Sequence, residues 1–133
     1  MSATTVIRHL LAGSAAVTGA VPAGRIRLGI LPLGTRLPAI GITSVSGVPR
    51  NTLSMAEPQR LVRERVQITL YAANYPDLDR VMWLVAGAEG NRRETIAGLV
   101  VRSIVPSTIG PDLEYIDPVI FARSADFHVS YLQ

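Results

Sequence analysis

The chain contains no cysteine, which excludes disulfides, cysteine-ligated zinc, iron–sulfur clusters and cysteine nucleophiles. Lysine is also absent, so all 13 basic residues are arginine and the Gly-Lys-Ser/Thr phosphate loop is excluded. Only 17% of the residues are charged and 5% are aromatic, whereas 48% are hydrophobic. A chain of 133 residues can bury one core but is too short for two ordinary domains, so we expect a single folded domain over 1–133.

Apolar runs are short as well, and none reaches the roughly 20 residues that a membrane-spanning helix needs. Glycine, serine and threonine dilute the most apolar stretch, which lies near the N-terminus. We interpret it as an amphipathic helix and not as a secretion signal, with Thr4 or Thr5 as its cap and an apolar stripe of Val6, Leu10, Gly13 and Val17. The sequence therefore predicts no membrane partner.

Alternation of apolar and polar residues predicts strands in much of the remaining chain. A half-exposed strand places Ile26, Leu28 and Ile30 on one side, and a second strand over 39–45 ends at Ser46-Gly47. The clearest strand has one apolar face, formed by Val62, Val66, Ile68, Leu70 and Ala72. Segments 95–109 and 119–132 complete the sheet, with turn residues between them at 110–118.

A second helix is predicted over 75–85, where Asn74 or Asp77 caps the start and Gly87 and Gly90 end it. Its buried stripe is Leu78, Val81, Met82 and Val85. The predicted fold class is therefore α+β: a mostly antiparallel sheet of about five strands with two main helices packed on one face.

One connection is unusually long. Residues 48–60 carry two prolines and no clean period, so we interpret them as a long loop joining two strands of a hairpin. Hairpin loops usually have about two to five residues, and longer connections are usually functional or disordered. This loop is therefore a candidate contact surface.

A search for catalytic or ligand-binding chemistry finds no motif. His9 and His128 stand alone, and Asp77 and Asp79 are explained as first-turn acids of a helix. Three further acids, Asp112, Glu114 and Asp117, lie among turn residues. We therefore predict no catalytic, cofactor or metal site, and the sequence points away from an enzyme.

Charge is distributed unevenly along the chain. Residues 25–65 hold seven Arg and two Glu, a balance of +5, whereas residues 77–126 hold five Arg and eight acids, a balance of −3. Phosphate binding by arginine would explain the first segment. Most of the aromatic residues, however, are at core-like or turn positions and do not alternate with arginine on one face as a base-stacking platform requires: Tyr71, Tyr75, Trp83, Tyr115, Phe121, Phe127 and Tyr131. Association between copies, positive edge to negative edge, is the other explanation, and such a contact can close into a ring.

The order of the segments resembles that of the tail terminator, or tail-completion, proteins of long-tailed bacteriophages, over nearly the whole chain. The most telling segments are Val66-Gln67-Ile68 in the central strand and Asp126-Phe127-His128-Val129-Ser130-Tyr131 in the last one. The others are Ala15-Ala16-Val17-Thr18 leading to Gly24-Arg25-Ile26, then Leu37-Pro38-Ala39-Ile40, Val45-Ser46-Gly47-Val48-Pro49 and the helix over 75–85.

This resemblance implies a structural virion protein without enzymatic activity or cofactor. Such a protein forms a hexameric ring at the head-proximal end of the tail tube, ends tube polymerisation and presents a surface for head joining. The implied partners are further copies of the chain, the tail tube protein and a neck or stopper protein, with DNA passing through the lumen without specific binding. The implied location is the tail neck of the virion, and the host cytoplasm during assembly.

The family's interface positions vary, so the interface prediction comes from this chain alone. We expect the long loop to contact a neighbouring ring and arginines to lie between subunits or to face the lumen. The predicted interface residues are Pro49, Arg50, Asn51, Leu53, Met55, Arg63 and Arg65. Two other functions stay open: another neck component, such as a stopper or head-completion protein, and an arginine-dependent nucleic-acid-binding domain.

Overall fold

The computed structural model describes residues 3–29, 31, 35–50, 61–88, 94–96, 98–116 and 119–132. These residues form three α-helices and six strands. The helices are α1 (Ala3–Gly13), α2 (Ala15–Ala20) and α3 (Tyr75–Ala88), and a short 3-10 helix spans Ala23–Arg25. The strands are β1 (Ile26–Leu28), β2 (Ala39–Arg50), β3 (Leu61–Ala72), β4 (Glu94–Ile96), β5 (Leu99–Ile116) and β6 (Val119–Leu132).

All six strands belong to one sheet in the order β1-β2-β3-β6-β5-β4. β1 pairs with β2 in parallel, and every other neighbouring pair is antiparallel. The predicted class, a mostly antiparallel α+β fold, is confirmed, with six strands in place of about five and three helices in place of two.

The core lies between the helices and one face of the sheet. β3 alternates strictly along its 12 residues, so that Val66, Ile68 and Leu70 are fully buried. They belong to one apolar cluster with residues of α1 and α3, namely Val6, Ile7, Leu11, Leu78, Val81 and Val85. Because burial of each large aliphatic side chain contributes about 1.5–3 kcal/mol, this layer dominates the stability of the fold.

The N-terminal helix differs from its prediction in its cap and in its continuity. Thr4 and Thr5 lie inside α1, so neither precedes the helix as its cap. The helical segment then breaks at Ser14, whose side chain accepts a hydrogen bond from the Val17 amide and starts α2. Of the predicted stripe, Val6 and Val17 are buried, Leu10 is partly buried against the core, and Gly13 is exposed.

β2 continues beyond the predicted end at Ser46-Gly47. The register shifts between Ser44 and Ser46, so Val45 is an extra residue in a β-bulge and pairing with β3 resumes as far as Arg50. The predicted loop therefore loses residues 48–50 to the strand, and residues 51–60 lie outside the described part of the chain. In β1, Ile26 is buried but Leu28 is exposed, because this strand is short and forms the edge of the sheet.

The segment predicted as one strand over 95–109 is a hairpin. Gly98 has a φ of +83°, which permits the turn between β4 and β5. β5 then runs through the predicted turn as far as Ile116, because pairing with β6 satisfies its backbone groups. Register shifts around Ile109, together with Gly110 at a φ of +97°, accommodate the turn-forming residues inside the strand.

Helix α3 begins as predicted. The Asn74 side chain accepts a hydrogen bond from the Asp77 amide at 2.9 Å, which satisfies a free donor of the first turn. All four residues of the predicted stripe are buried: Leu78, Val81, Met82 and Val85. The helix continues past Gly87 to Ala88, and Gly90 lies outside the described residues.

Candidate functional site

The sheet face opposite the helices is formed by polar residues of β3 and β6. We call it the open face and define it by Arg63, Arg65 and Gln67 on β3 and their paired residues Ser130, His128 and Asp126 on β6. Side chains alternate along a strand, so the residues between the buried ones of β3 must point this way. All three β3 side chains are partly exposed.

One ion pair dominates the open face. The Arg65 guanidinium donates to Asp126 Oδ2 through Nε at 2.8 Å and also through Nη2. The Asp126 side chain is only 6% exposed, whereas the Arg65 side chain is 40% exposed, so the arginine covers the carboxylate. Arg63 makes no ion pair with any residue that the structure describes.

Positive charge on the open face affects the neighbouring imidazole. Burial, together with the charges of Arg63 and Arg65, lowers the pKa of His128, and the Asp126 carboxylate opposes this shift. These effects favour the neutral form of His128, and Arg63 is the uncompensated cation among these groups.

The predicted interface residues fall into three groups. Arg63 and Arg65 lie together on the open face. Pro49 and Arg50 lie on the neighbouring strand, with their backbones opposite Val62 and Leu61. The remaining residues, Asn51, Leu53 and Met55, lie outside the described part of the chain. Their common role as an interface stays a prediction.

A network of hydrogen bonds on the helix side joins α3 to the β5–β6 hairpin. We call it the Arg123 network and define it by Arg123, Asp112, Asp79 and Tyr75. Arg123 Nε and Nη2 donate to the two oxygens of Asp112 at 2.6 and 2.9 Å, while Nη1 donates to Asp79 at 2.5 Å. The Tyr75 hydroxyl donates to Asp112 at 2.7 Å and accepts from Arg123 Nη2 at 3.1 Å.

Electrostatics and ring contacts both stabilise this network. Hydrogen bonds from Arg123 and Tyr75 lower the pKa of Asp112 to about 2. The guanidinium lies 5.4 Å from the centre of the Tyr75 ring, and this ring meets Phe121 edge to face with centroids 6.0 Å apart. Sequence analysis missed the network because its members are far apart in the chain and Asp112 was assigned to a turn.

An exposed tryptophan lies on the outer side of α3. Trp83 is 82% exposed, which corrects its assignment to a core-like or turn position. The helical stripe that correctly predicted Leu78 and Val85 as buried places Trp83 on the opposite side of α3, so the signal was present in the sequence.

Next to Trp83, an open groove of about 740 Å³ lies between α3 and the β5–β6 hairpin. Its apolar lining is formed by Pro76, Met82, Trp83, Leu84, Ala86 and Ile109. Ile109 is 61% exposed, and Asp79, Arg80 and Arg123 line the polar part. We call this feature the α3 groove. Exposed apolar surface of this kind is typical of sites where another molecule binds.

One acidic side chain is buried on the core face. Glu64 is 6% exposed and accepts a hydrogen bond from the Tyr131 hydroxyl through Oε1 at 2.9 Å, while Oε2 has no partner among the residues that the structure describes. Burial and the Glu64 carboxylate raise the pKa of Tyr131 to about 12. The alternation of β3 places Glu64 between Val62 and Val66 on this face, but sequence analysis left it out of the core.

In the described segments, no three His, Cys, Asp or Glu side chains come together as metal ligands would. None of the helices there combines the length and the apolar character required to cross a bilayer.

Comparison with known proteins identifies a fold but no family. No protein-family model matches the chain, and no curated protein matches it. Among solved structures, a chain in the virion of a native gene transfer agent (GTA) particle is similar, with a TM-score of 0.71. The match covers 98% of this chain and 94% of that chain at 8% sequence identity. At this identity the likeness shows a shared fold.

Proposed function

We propose that the protein is a structural component of a phage-like virion and not an enzyme. Several copies form a ring at the head-proximal end of the tail tube, end its polymerisation and present the surface to which the head joins. Its partners are the tail tube protein and a neck protein, and DNA passes through the ring without specific binding.

The main support for this proposal is the likeness in fold to a chain of the GTA virion. That likeness extends over almost the full length of both chains, so it involves the whole domain and not a common substructure. Fold likeness alone does not determine function. The proposal therefore also depends on the segment order that resembles tail terminators, from Gly24-Arg25-Ile26 to the closing Asp126–Tyr131 segment.

The surface of the molecule also favours assembly. Trp83 and Ile109 expose apolar area on one side, and Arg63 presents an uncompensated charge on the open face. Tryptophan and arginine are enriched in protein interfaces. A protein that acts by binding other proteins needs such surfaces and requires no catalytic constellation.

Electron microscopy of particles assembled without this protein tests the proposal. We expect overlong tails without heads, because nothing would end tube growth, and supplying the protein in trans should restore normal tails. Tails of normal length beside heads that leak DNA would show that the protein acts elsewhere in the neck, as a stopper or head-completion protein. Normal, infectious particles would contradict both functions.

DNA binding by the purified protein separates these functions from the nucleic-acid alternative. Binding through arginine–phosphate contacts weakens steeply as salt rises, because counterions are released. We expect little affinity for DNA at physiological salt, and no change in it for Arg63→Gln. Tight, salt-sensitive binding that this variant abolishes would favour the nucleic-acid function.

A further inference from the structure

We propose that the α3 groove binds the β2 bulge of a second copy, with Val45 of that copy against Trp83 and Ile109 and its Arg63 beside Asp79. This inference rests on the proposed function, since it names the contact through which successive copies join. It makes the interface head-to-tail, formed by two different surfaces of the same chain.

The groove provides the apolar half of the contact. Trp83 is 82% exposed and Ile109 is 61% exposed, and both line the groove. Large side chains exposed to this degree leave apolar area in water that a partner would remove. Tryptophan is also among the residues whose truncation weakens interfaces most.

The same groove has an acidic end. The Asp79 side chain is 59% exposed and uses Oδ1 to accept a hydrogen bond from Arg123. Its Oδ2 accepts from no residue that the structure describes. Arg123 also binds Asp112, and Arg80 pairs with Asp77 at 3.4 Å, so each arginine that lines the groove has another carboxylate partner and Oδ2 of Asp79 is available to a further cation.

The β2 bulge provides the complementary half. Val45 is 48% exposed because the bulge inserts it as an extra residue between Ser44 and Ser46. Ser46 lies opposite Arg65, and Arg63 follows two residues away on β3. The bulge thus presents an exposed apolar side chain, and Arg63, which lies opposite Val48 and has no ion pair among the described residues, follows on the same sheet; this combination matches an apolar groove with a half-free carboxylate.

A chain cannot fill its own groove in this way. β3 and β6 lie between β2 and β5 in the sheet, and adjacent strands are about 4.8 Å apart, so the bulge and the groove are separated by more than a side chain's reach. The occupant is therefore a second molecule, and the exposed Val45 and the opposite charges of the two surfaces favour another copy of this chain. Because the two surfaces differ, each copy offers one groove and one bulge, and the contact repeats until a ring closes.

The charge distribution along the sequence agrees with this arrangement. The segment over 25–65, which contains the bulge, carries a balance of +5, and the segment over 77–126, which contains the groove, carries −3. A contact between the bulge of one copy and the groove of the next brings the positive segment of one chain to the negative segment of the other.

The absence of native cysteine permits a direct crosslinking test. Ser46→Cys and Ala86→Cys are prepared separately, so that Val45, Trp83 and Ile109 are retained, and the two proteins are mixed with a short bis-maleimide. We expect a covalent heterodimer in the mixture. Leu28→Cys, at an exposed position on the edge strand, replaces Ser46→Cys in the control and should crosslink weakly.

Complementary variants test the head-to-tail geometry. Trp83→Ala disables the groove and Val45→Asp disables the bulge, and we expect each to weaken self-association at least tenfold in sedimentation velocity. Their mixture should form a 1:1 dimer, because one intact groove meets one intact bulge. Leu28→Asp, the matched exposed control, should associate like the unmodified chain. Trp83 and Val45 are both exposed, so we expect Trp83→Ala and Val45→Asp to leave stability in urea unfolding unchanged.

The outcomes separate this contact from the proposed function. Three results would each overturn the contact and leave the virion role unaffected. They are rings that persist in Trp83→Ala, a mixture of Trp83→Ala and Val45→Asp that stays monomeric, and crosslinking that is no stronger than in the Leu28→Cys control at millimolar protein concentration. Normal particles assembled without the protein would remove the virion role but leave a measured contact between copies intact.

Discussion

Arg65 on β3 binds Asp126 on β6 diagonally, past the residue that lies directly opposite it. The register pairs Arg65 with His128 and Gln67 with Asp126, yet Arg65 Nε lies 2.8 Å from Asp126 Oδ2. Diagonal neighbours in a sheet are within reach of long side chains. The contact neutralises the buried carboxylate and leaves Arg63 as the uncompensated charge of the open face.

Loss of this ion pair should destabilise the fold measurably. Arg65→Gln removes the partner of a carboxylate that is 6% exposed. Breaking a buried pair costs about 3–5 kcal/mol, but the exposed Arg65 side chain reduces this, so we expect a loss of about 1–2 kcal/mol in urea unfolding. Arg63→Gln is the matched control and should change stability by less than about 0.5 kcal/mol. Equal losses in both variants would contradict this assignment.

The positive charges of Arg63 and Arg65 should be measurable through the pKa of His128. Because burial and the charges of Arg63 and Arg65 lower its pKa, Arg63→Gln should move that pKa back toward its ordinary value. Titration followed by NMR of the imidazole protons measures the change, with His9→Gln removing the second imidazole. An unchanged His128 pKa in Arg63→Gln would show that its charge does not reach the imidazole.

The lowered pKa of His128 also predicts the direction of a pH effect. Below the ordinary histidine pKa of about 6.5, the unfolded chain binds a proton at this position more readily than the folded chain does. The contribution of His128 is therefore fully present above that pH and is lost as the pH falls toward the folded-state pKa. His128→Gln should remove this part of the pH dependence in urea unfolding between neutral and mildly acidic pH.

The Arg123 network should anchor the start of α3 to the sheet. Arg123→Met leaves two carboxylates without their shared cation, and we expect a loss of about 2 kcal/mol in urea unfolding, because Arg123 is 14% exposed but both acids are more accessible. Arg80→Met is the control, since Arg80 and Asp77 form an exposed pair at 3.4 Å and should contribute less than about 0.5 kcal/mol.

Acid unfolding gives an independent measure of this network. Asp112 has a pKa of about 2 in the folded chain, below its ordinary value of 3.8. Its stabilising contribution is present above the unfolded-state pKa and is lost as the pH falls from about 4 to about 2. Asp112→Asn should reduce stability at neutral pH by about 1 kcal/mol after allowance for solvent screening, and should weaken the pH dependence in this range. An acid transition identical to that of the unmodified chain would contradict this role.

We expect a larger loss of folding stability when the buried Glu64 loses its hydrogen-bond partner than when Glu64 and its partner are both replaced by apolar residues. Tyr131→Phe takes away the one hydrogen bond that Glu64 makes within the described part of the chain, so we expect a loss of about 1–3 kcal/mol. Glu64→Leu combined with Tyr131→Phe replaces both polar groups by apolar ones and should recover most of this loss, as measured by urea unfolding. A double variant less stable than Tyr131→Phe alone would show that Glu64 has a stabilising partner of another kind.

Local patterns predicted those parts of the chain in which one face is buried. The alternation over 61–72 and the stripe of Leu78, Val81, Met82 and Val85 were confirmed because burial of one face imposes a period on the sequence. The Asn74 cap was also predicted, since its hydrogen bond joins residues three apart. Of the predicted interface, Arg63 and Arg65 share the open face because they are two residues apart on a strand.

Errors arose where pairing with another strand overrode local residue chemistry. Gly110 and Pro111 are typical of turns, yet β5 continues past them: they lie in an irregularity between Ile109 and Asp112, and pairing with β6 on both sides of it keeps the strand together. Ser46-Gly47 likewise lies inside β2 because the Val45 bulge allows pairing with β3 to resume.

The sequence by itself determined the fold class, the core face of the central strand and the stripe of α3, because these depend on periods of a few residues. Only the tertiary structure decided that Arg123, Asp112, Asp79 and Tyr75 meet and that a groove opens beside Trp83. These contacts join residues up to 48 positions apart, and the strand order β3-β6-β5 brings them together. No local pattern encodes such contacts, since they depend on how the whole chain packs.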